Sequence, residues 1–255
     1  MTLNNQIILN GSLVNYHRLS EGSGQALIFL HGWRSEGIIW KNVAEKLCKT
    51  ADYNIYALDL PGFGSSPAPK VAFDVSDYTQ IVDGFIGKLK LESVVLIGHS
   101  FGGRIAIKLA AKKPPYLKKL VLVDSAGIAL PSNKKNFMQL GAKLVKPLFK
   151  LRSLQDIKRM IYKKIGAEDY LATPYLNETF KKVIVEDLQN CLKDIDVPTL
   201  LLWGDKDTDT PLNFMEIFNR KISNSTTKVL KGAGHFSFID QSDAFCLELS
   251  KFLKL

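Results

Sequence analysis

Short, unbroken apolar runs separated by amphipathic stretches organise most of this chain. Ala26-Leu27-Ile28-Phe29-Leu30, Val94-Val95-Leu96-Ile97, Leu120-Val121-Leu122-Val123 and Thr199-Leu200-Leu201-Leu202-Trp203 carry almost no polar residue. Runs of that length and purity predict strands buried on both faces. Two further strands are expected near 53–58 and 226–230. Between them the spacing turns helical at about 37–49, with Val43, Ala44 and Leu47 inward, and again at 76–90, 104–110, 211–221 and 242–253. Residues 6–18 alternate weakly around Asn10-Gly11, a turn signal that predicts two antiparallel edge strands. Pro114-Pro115 stops the helix before the 120–123 run.

Strands alternating with helices predict an α/β fold: a mostly parallel twisted sheet with helices on both faces. The alternation lapses from about 129 to 196, where the chain reads as helical and lysine-rich. This divides the protein into a core of residues 1–128 and 197–255 and an inserted helical cap, 129–196.

In such a sheet, function collects in the loops beyond the carboxyl ends of the strands. The 94–97 run leads into Gly98-His99-Ser100-Phe101-Gly102-Gly103, and a helical pattern follows. Strand, sharp turn and helix around G-x-S-x-G is the setting of a nucleophilic serine. Gly98 and Gly102 allow backbone to pass close to the turn, and Gly103 lets the helix lie tight on the sheet. A serine hydroxyl needs a base. Of His17, His31, His99 and His235, only His31 and His235 follow strands on the same edge, and His235 lies in a Gly-rich loop able to project its ring toward Ser100. The base in turn needs a carboxylate to orient it. Asp207, just past the 199–203 run, fits the chain order Ser, Asp, His. Asp205 and Asp209 are near rivals, and Asp124, one strand earlier, is in a poorer position. Two oxyanion donors are expected from backbone: the N–H of Phe101 and the N–H of Trp33. The His31 side chain is expected to bond nearby backbone, His99 to fill the elbow and His17 to sit on an edge strand.

Composition adds bounds. With 46% hydrophobic and 23% charged residues in 255, the chain has ample core for a soluble globular protein. No apolar run approaches a membrane span, and the amino terminus lacks a secretory signal. Cys48, Cys191 and Cys246 are far apart without metal-ligand spacing, which predicts reduced thiols in a cytoplasmic protein. The net charge of +9 is confined to one place: residues 129–165 hold ten Lys or Arg against the single acid Asp156. Phe137, Leu140, Leu144, Val145 and Leu148, then Leu151, Leu154, Ile157, Met160 and Ile161, recur at helical spacing among these lysines. Three readings stay open for this segment: a cap with solvated lysines outside, a helix touching anionic lipid, or attraction of an anionic substrate. Nucleic acid is not expected as a partner, because aromatics are not interleaved with the charges. Oligomeric state is not legible.

The motifs HGW at 31–33, DLPGFGSS at 59–66, GHSFGG at 98–103, WGDKD at 203–207 and GAGH at 232–235 stand in an order that resembles the α/β-hydrolase fold superfamily over essentially the whole chain. The resemblance implies an eight-stranded sheet with a cap after the sixth strand. It also implies hydrolysis of a small acyl substrate through an acyl-enzyme on Ser100, with no metal or organic cofactor. Within the superfamily the chain looks most like capped carboxylesterases and meta-cleavage product (carbon–carbon bond) hydrolases. It departs from many of the latter in having His99, not Asn, before the nucleophile, and in lacking an Arg-Trp pair in the cap. A serine nucleophile argues against dehalogenases and epoxide hydrolases. A ligand sensor that retains the triad is the alternative of a different class.

Overall fold

The computed structural model describes residues 3–129 and 173–254. Its strands are β1 (Leu3–Leu9), β2 (Ser12–Glu21), β3 (Ala26–Leu30), β4 (Asn54–Leu58), β5 (Val94–His99), β6 (Leu117–Val123), β7 (Thr199–Gly204) and β8 (Ser225–Leu230). They form one eight-stranded sheet in the order β1-β2-β4-β3-β5-β6-β7-β8. β1 and β2 run antiparallel, β2 pairs antiparallel with β4, and β3 to β8 are parallel. This is the α/β-hydrolase fold. The Asn10-Gly11 turn has φ values of 49° and 77°, as a two-residue hairpin with matching twist requires. Only β1 of that hairpin is an edge strand; β2 is long enough to bond β1 along one side and β4 along the other.

The apolar runs are divided by their period of two between the sheet's faces. Ile28, Leu30, Leu96, Leu120, Leu122, Leu201 and Trp203 point to one core, with residues of α2 (Val75–Lys88), α3 (Phe101–Ala110) and α5 (Leu212–Lys221). Leu27, Phe29, Val95, Ile97, Val121, Val123, Leu200 and Leu202 point to the other, against Trp40, α1 (Lys41–Leu47) and α6 (Ser242–Lys254). The helix expected over 37–49 is divided into a tight turn at Gly37–Trp40 and α1, and the Gly37 N–H that opens the turn is held by the buried Asp59 carboxylate at 2.7 Å. Asp74 starts α2 with a reciprocal cap: its Oδ1 accepts from the Ser76 and Asp77 N–H groups while Asp77 accepts from the Asp74 N–H.

Residues 130–172, most of the expected cap and all but one residue of the basic segment, lie outside the described residues, as do both apolar stripes. The described part of the β6–β7 connection, from residue 173 on, forms a turn at Pro174–Leu176, α4 (Asn177–Val185) and a turn at Leu192–Asp194. It is fastened to the sheet's carboxyl edge by the Leu188 N–H donating to the Gly127 carbonyl at 2.8 Å and by the buried Arg104, which donates to the Glu186 carbonyl at 2.7 Å. Among the described residues no helix is long and apolar enough to cross a membrane.

In-register parallel pairing places Leu30 beside Gly98, His99 beside Val123, Val123 beside Leu202 and Gly204 beside Leu230. The loops after β3, β5, β6, β7 and β8 therefore emerge side by side.

Candidate active site

Ser100 joins β5 to α3 with φ 49° and ψ −110°. A non-glycine residue in that region costs about 1–3 kcal/mol and persists only where its surroundings over-determine it. Here they do: the Ser100 N–H donates to the Val123 carbonyl at 3.1 Å, and the Ser100 carbonyl accepts from Gly103 and Ala126 at 3.0 and 3.1 Å. The glycines are needed for close approach. A Cβ on Gly98 would lie 2.5 Å from the Gly102 carbonyl oxygen, and one on Gly102 would lie 2.5 Å from that of Leu30. One on Gly103 would lie 2.0 Å from Ser125 Oγ, beyond what a small shift can relieve.

The hydroxyl so presented is 2.9 Å from His235 Nε2, and His235 Nδ1 is 2.9 Å from Asp207 Oδ2. A ring that donates from Nδ1 to the carboxylate leaves Nε2 as an acceptor toward the serine. Asp207 is fully occupied: Oδ1 accepts from the N–H groups of Asp209 and Thr210 at 2.8 and 3.0 Å, and Oδ2 accepts from the Thr210 hydroxyl at 2.6 Å. Burial would raise the Asp207 carboxyl, but the hydrogen bond and charge of His235 and then the Thr210 donors outweigh it and hold the group below the usual carboxylate range. Burial would likewise lower His235, but Asp207 outweighs it and raises the imidazole above its ordinary value.

The rival acids point elsewhere. Asp205 Oδ1 accepts from the Gly232 N–H at 2.6 Å, and Asp209 is exposed. Asp124 is fully buried and bonds Gly204 and Ser237 instead of the ring. Burial pushes its carboxyl up to about 7.

The loop after β3 lies against the elbow. The Gly102 N–H donates to the His31 carbonyl at 3.1 Å, and a Cβ on Gly32 would be 3.3 Å from Ser100 Cβ. His31 is fully buried, its Nδ1 donates to the Gly32 carbonyl at 2.7 Å, and its Nε2 accepts from the Leu60 N–H at 3.0 Å. Burial lowers its pKa to about 4, so the ring stays neutral and the tautomer is set. Because the peptide unit is planar and trans, anchoring the Gly32 carbonyl also orients the Trp33 N–H on its opposite side. Among the described residues neither the Trp33 nor the Phe101 N–H takes a protein acceptor, which leaves both available to a developing oxyanion.

Around this the Trp33 ring meets Phe63, Phe101 and Phe180 at centroid distances of 4.8, 5.1 and 5.1 Å. An aromatic cluster is thus built on the loop after β3 and on Phe101, the residue after Ser100, and the indole N–H donates to Thr173 Oγ1 at 3.2 Å.

Three contributors went unrecognised in the sequence. Thr210 holds both oxygens of Asp207; a hydroxyl residue three positions after a turn acid is its only local sign. His99 is not inert filling: its Nε2 donates to the His235 carbonyl at 2.8 Å, and burial depresses its pKa to about 3. Asp124 joins two of the loops across the sheet edge. His17 lies away from the site, bonded to Asp59 at 3.2 Å.

Comparison with known proteins agrees with this architecture. The family model described as Alpha/beta hydrolase family matches residues 27–248. A pimeloyl-[acyl-carrier protein] methyl ester esterase of Legionella pneumophila (strain Paris) is 27% identical over 251 residues, spanning 94% of this chain and 100% of its own. Among solved structures, an esterase from Exiguobacterium antarcticum superposes with a TM-score of 0.80 at 23% identity, covering 99% of this chain and 100% of the other. A meta-cleavage product hydrolase from Pseudomonas fluorescens IP01 gives 0.73 at 22% identity, covering 98% and 97%.

Proposed function

This chain belongs to the alpha/beta hydrolase family, and we propose that within it the protein is a serine carboxylesterase with the triad Ser100, His235 and Asp207. The observation that carries the proposal is the pair of 2.9 Å contacts linking hydroxyl, imidazole and carboxylate. In the reading, His235 Nε2 takes the Ser100 proton as Oγ bonds to the acyl carbon, and Asp207 stabilises the imidazolium formed. The N–H groups of Trp33 and Phe101 receive the oxyanion. The imidazolium then protonates the leaving alcohol, and water, deprotonated by the same ring, releases the acid and restores Ser100. Each proton removed is returned, so no redox or metal step enters the balance.

The aromatic surroundings of Trp33 favour a small ester with an apolar acyl group, and a relative named as a methyl ester esterase supports the ester class alone. No observation favours carbon–carbon cleavage or a sensor role over this reading.

A fluorophosphonate probe with peptide mapping tests it: the label should fall on Ser100. Ser100→Ala should lower turnover of p-nitrophenyl butyrate by about 10⁶-fold, to the level of the remaining binding and oxyanion contacts. Wild-type turnover in that variant would overturn the proposal.

A further inference from the structure

We infer that Asp124 is a positioning residue of this site, whose carboxylate couples the loop carrying Asp207 to the loop carrying His235. Asp124 follows β6 with a left-handed backbone, φ 43°. Its Oδ1 accepts the Gly204 N–H at 2.8 Å, three residues before Asp207. Its Oδ2 accepts the Ser237 hydroxyl at 2.5 Å and the Ser237 N–H at 3.2 Å, two residues after His235. Its backbone carbonyl is 3.0 Å from the Thr210 hydroxyl, which also holds Asp207. On the third side the same turn grips the nucleophile, through Ser100 N–H to Val123 carbonyl and Ala126 N–H to Ser100 carbonyl. One short turn therefore touches the segments that carry all three reacting side chains.

The chemistry of the side chain suits the task. Three donors converge on two oxygens, and only a carboxylate presents acceptors on both sides. The charged and titratable groups that bear on it are Asp207 and His235. Neither bonds it directly, so its contribution is to geometry and field rather than to proton transfer.

The inference rests on the triad reading, and two variants test it. Asp124→Asn keeps a residue that tolerates positive φ but turns an amide N–H toward one of the donors. Ser237→Ala removes one donor and leaves the Asp124 carboxylate intact. With p-nitrophenyl butyrate, Asp124→Asn should lower kcat about ten-fold or more, the scale of a small misplacement of reacting groups, with KM within about two-fold. Ser237→Ala should lower kcat about three-fold or more, again without a matching rise in KM. The rate of labelling by the fluorophosphonate should fall in parallel. If Asp124→Asn does not fold, Ser237→Ala decides alone. A folded Ser237→Ala enzyme with wild-type kcat overturns the inference. Should Ser100→Ala abolish turnover while both loop variants keep it, only this inference fails. Should Ser100→Ala keep turnover, the triad reading fails with it.

Discussion

Among the described residues two histidine–aspartate pairs are largely buried, and they differ in which end of the ring is spent. His235 gives Nδ1 to Asp207 at 2.9 Å and keeps its far nitrogen, Nε2, for Ser100. His17 gives Nε2 itself to Asp59 at 3.2 Å. Exposure does not separate them: the histidine side chains are 15% and 11% accessible, and the carboxylates 0% and 1%. Surroundings do. Asp59 also accepts from Gly37 N–H, Asn15 Nδ2 and Ser65 N–H, all within 2.8 Å, so it ties β2 to the turn before α1 and to the loop after β4. A histidine–carboxylate pair becomes a base only when the ring's tip faces a substrate or nucleophile. With the tip consumed, the same two residue types become a brace.

Breaking the first pair should have the largest effect. Asp207→Asn turns an amide N–H toward His235 Nδ1, favours the other tautomer and places a proton on the nitrogen that must accept one. A loss of roughly 10⁴-fold in kcat is expected, with a melting temperature close to that of the parent. Near-normal ester turnover in this variant would remove Asp207 from the proposed mechanism.

Breaking the second pair should reverse the outcome. Asp59→Asn leaves a buried set of donors short of acceptors, which should cost about 2–4 kcal/mol and lower the melting temperature by roughly 5–10 °C for a chain of this size. Turnover in the folded variant should stay within about five-fold of wild type. The pH dependence supplies a second signature. Burial would raise the Asp59 carboxyl, but hydrogen bonds from His17, Ser65, Gly37 and Asn15 outweigh it and lower it to about 2. A carboxyl lowered from 3.8 to about 2 on folding contributes about 2 kcal/mol above its unfolded value, lost as pH falls from roughly 4 toward 2. Urea unfolding across that window should show the loss in wild type and a flatter curve in Asp59→Asn.

The contrast also marks where the sequence was readable. Ala26–Leu30 and Thr199–Gly204 are buried at every position, so their unbroken apolar runs carried the sheet, and the Gly98-x-Ser100-x-Gly102 spacing carried the elbow. Strand order was not legible, since pairing β4 outside β3 depends on crossover geometry that no local pattern encodes. Nor were the supports. Asp59 is 42 residues from His17, and Asp124 is 113 from Ser237. Each is an unremarkable polar residue in a loop until the sheet aligns the strand ends. Thr210 escaped for a different reason: its spacing from Asp207 also describes an ordinary capped turn.

The smallest effect is the most selective, because it changes only the field at one ring. His235 is raised above its ordinary 6.5, and Asp209 contributes to that through its charge alone. In the proposed mechanism the ring must be neutral to accept the Ser100 proton, so a raised pKa means activity is lost at a higher pH on acidification; the acid limb of kcat/KM should lie above 6.5. Asp209→Asn keeps the backbone N–H that Asp207 Oδ1 accepts at 2.8 Å and removes one negative charge. Less negative potential at the imidazole favours its neutral form, so the limb should move toward acid by a few tenths of a pH unit, with kcat unchanged on the alkaline plateau. Asp209 is exposed, so roughly 1 M salt, with a Debye length near 3 Å, should erase most of the shift. Asp59→Asn removes a negative charge too, but at the brace, and should leave the limb in place. Equal movement of the limb in both variants would mean that the two pairs share one field, and that the separation of base from brace does not hold.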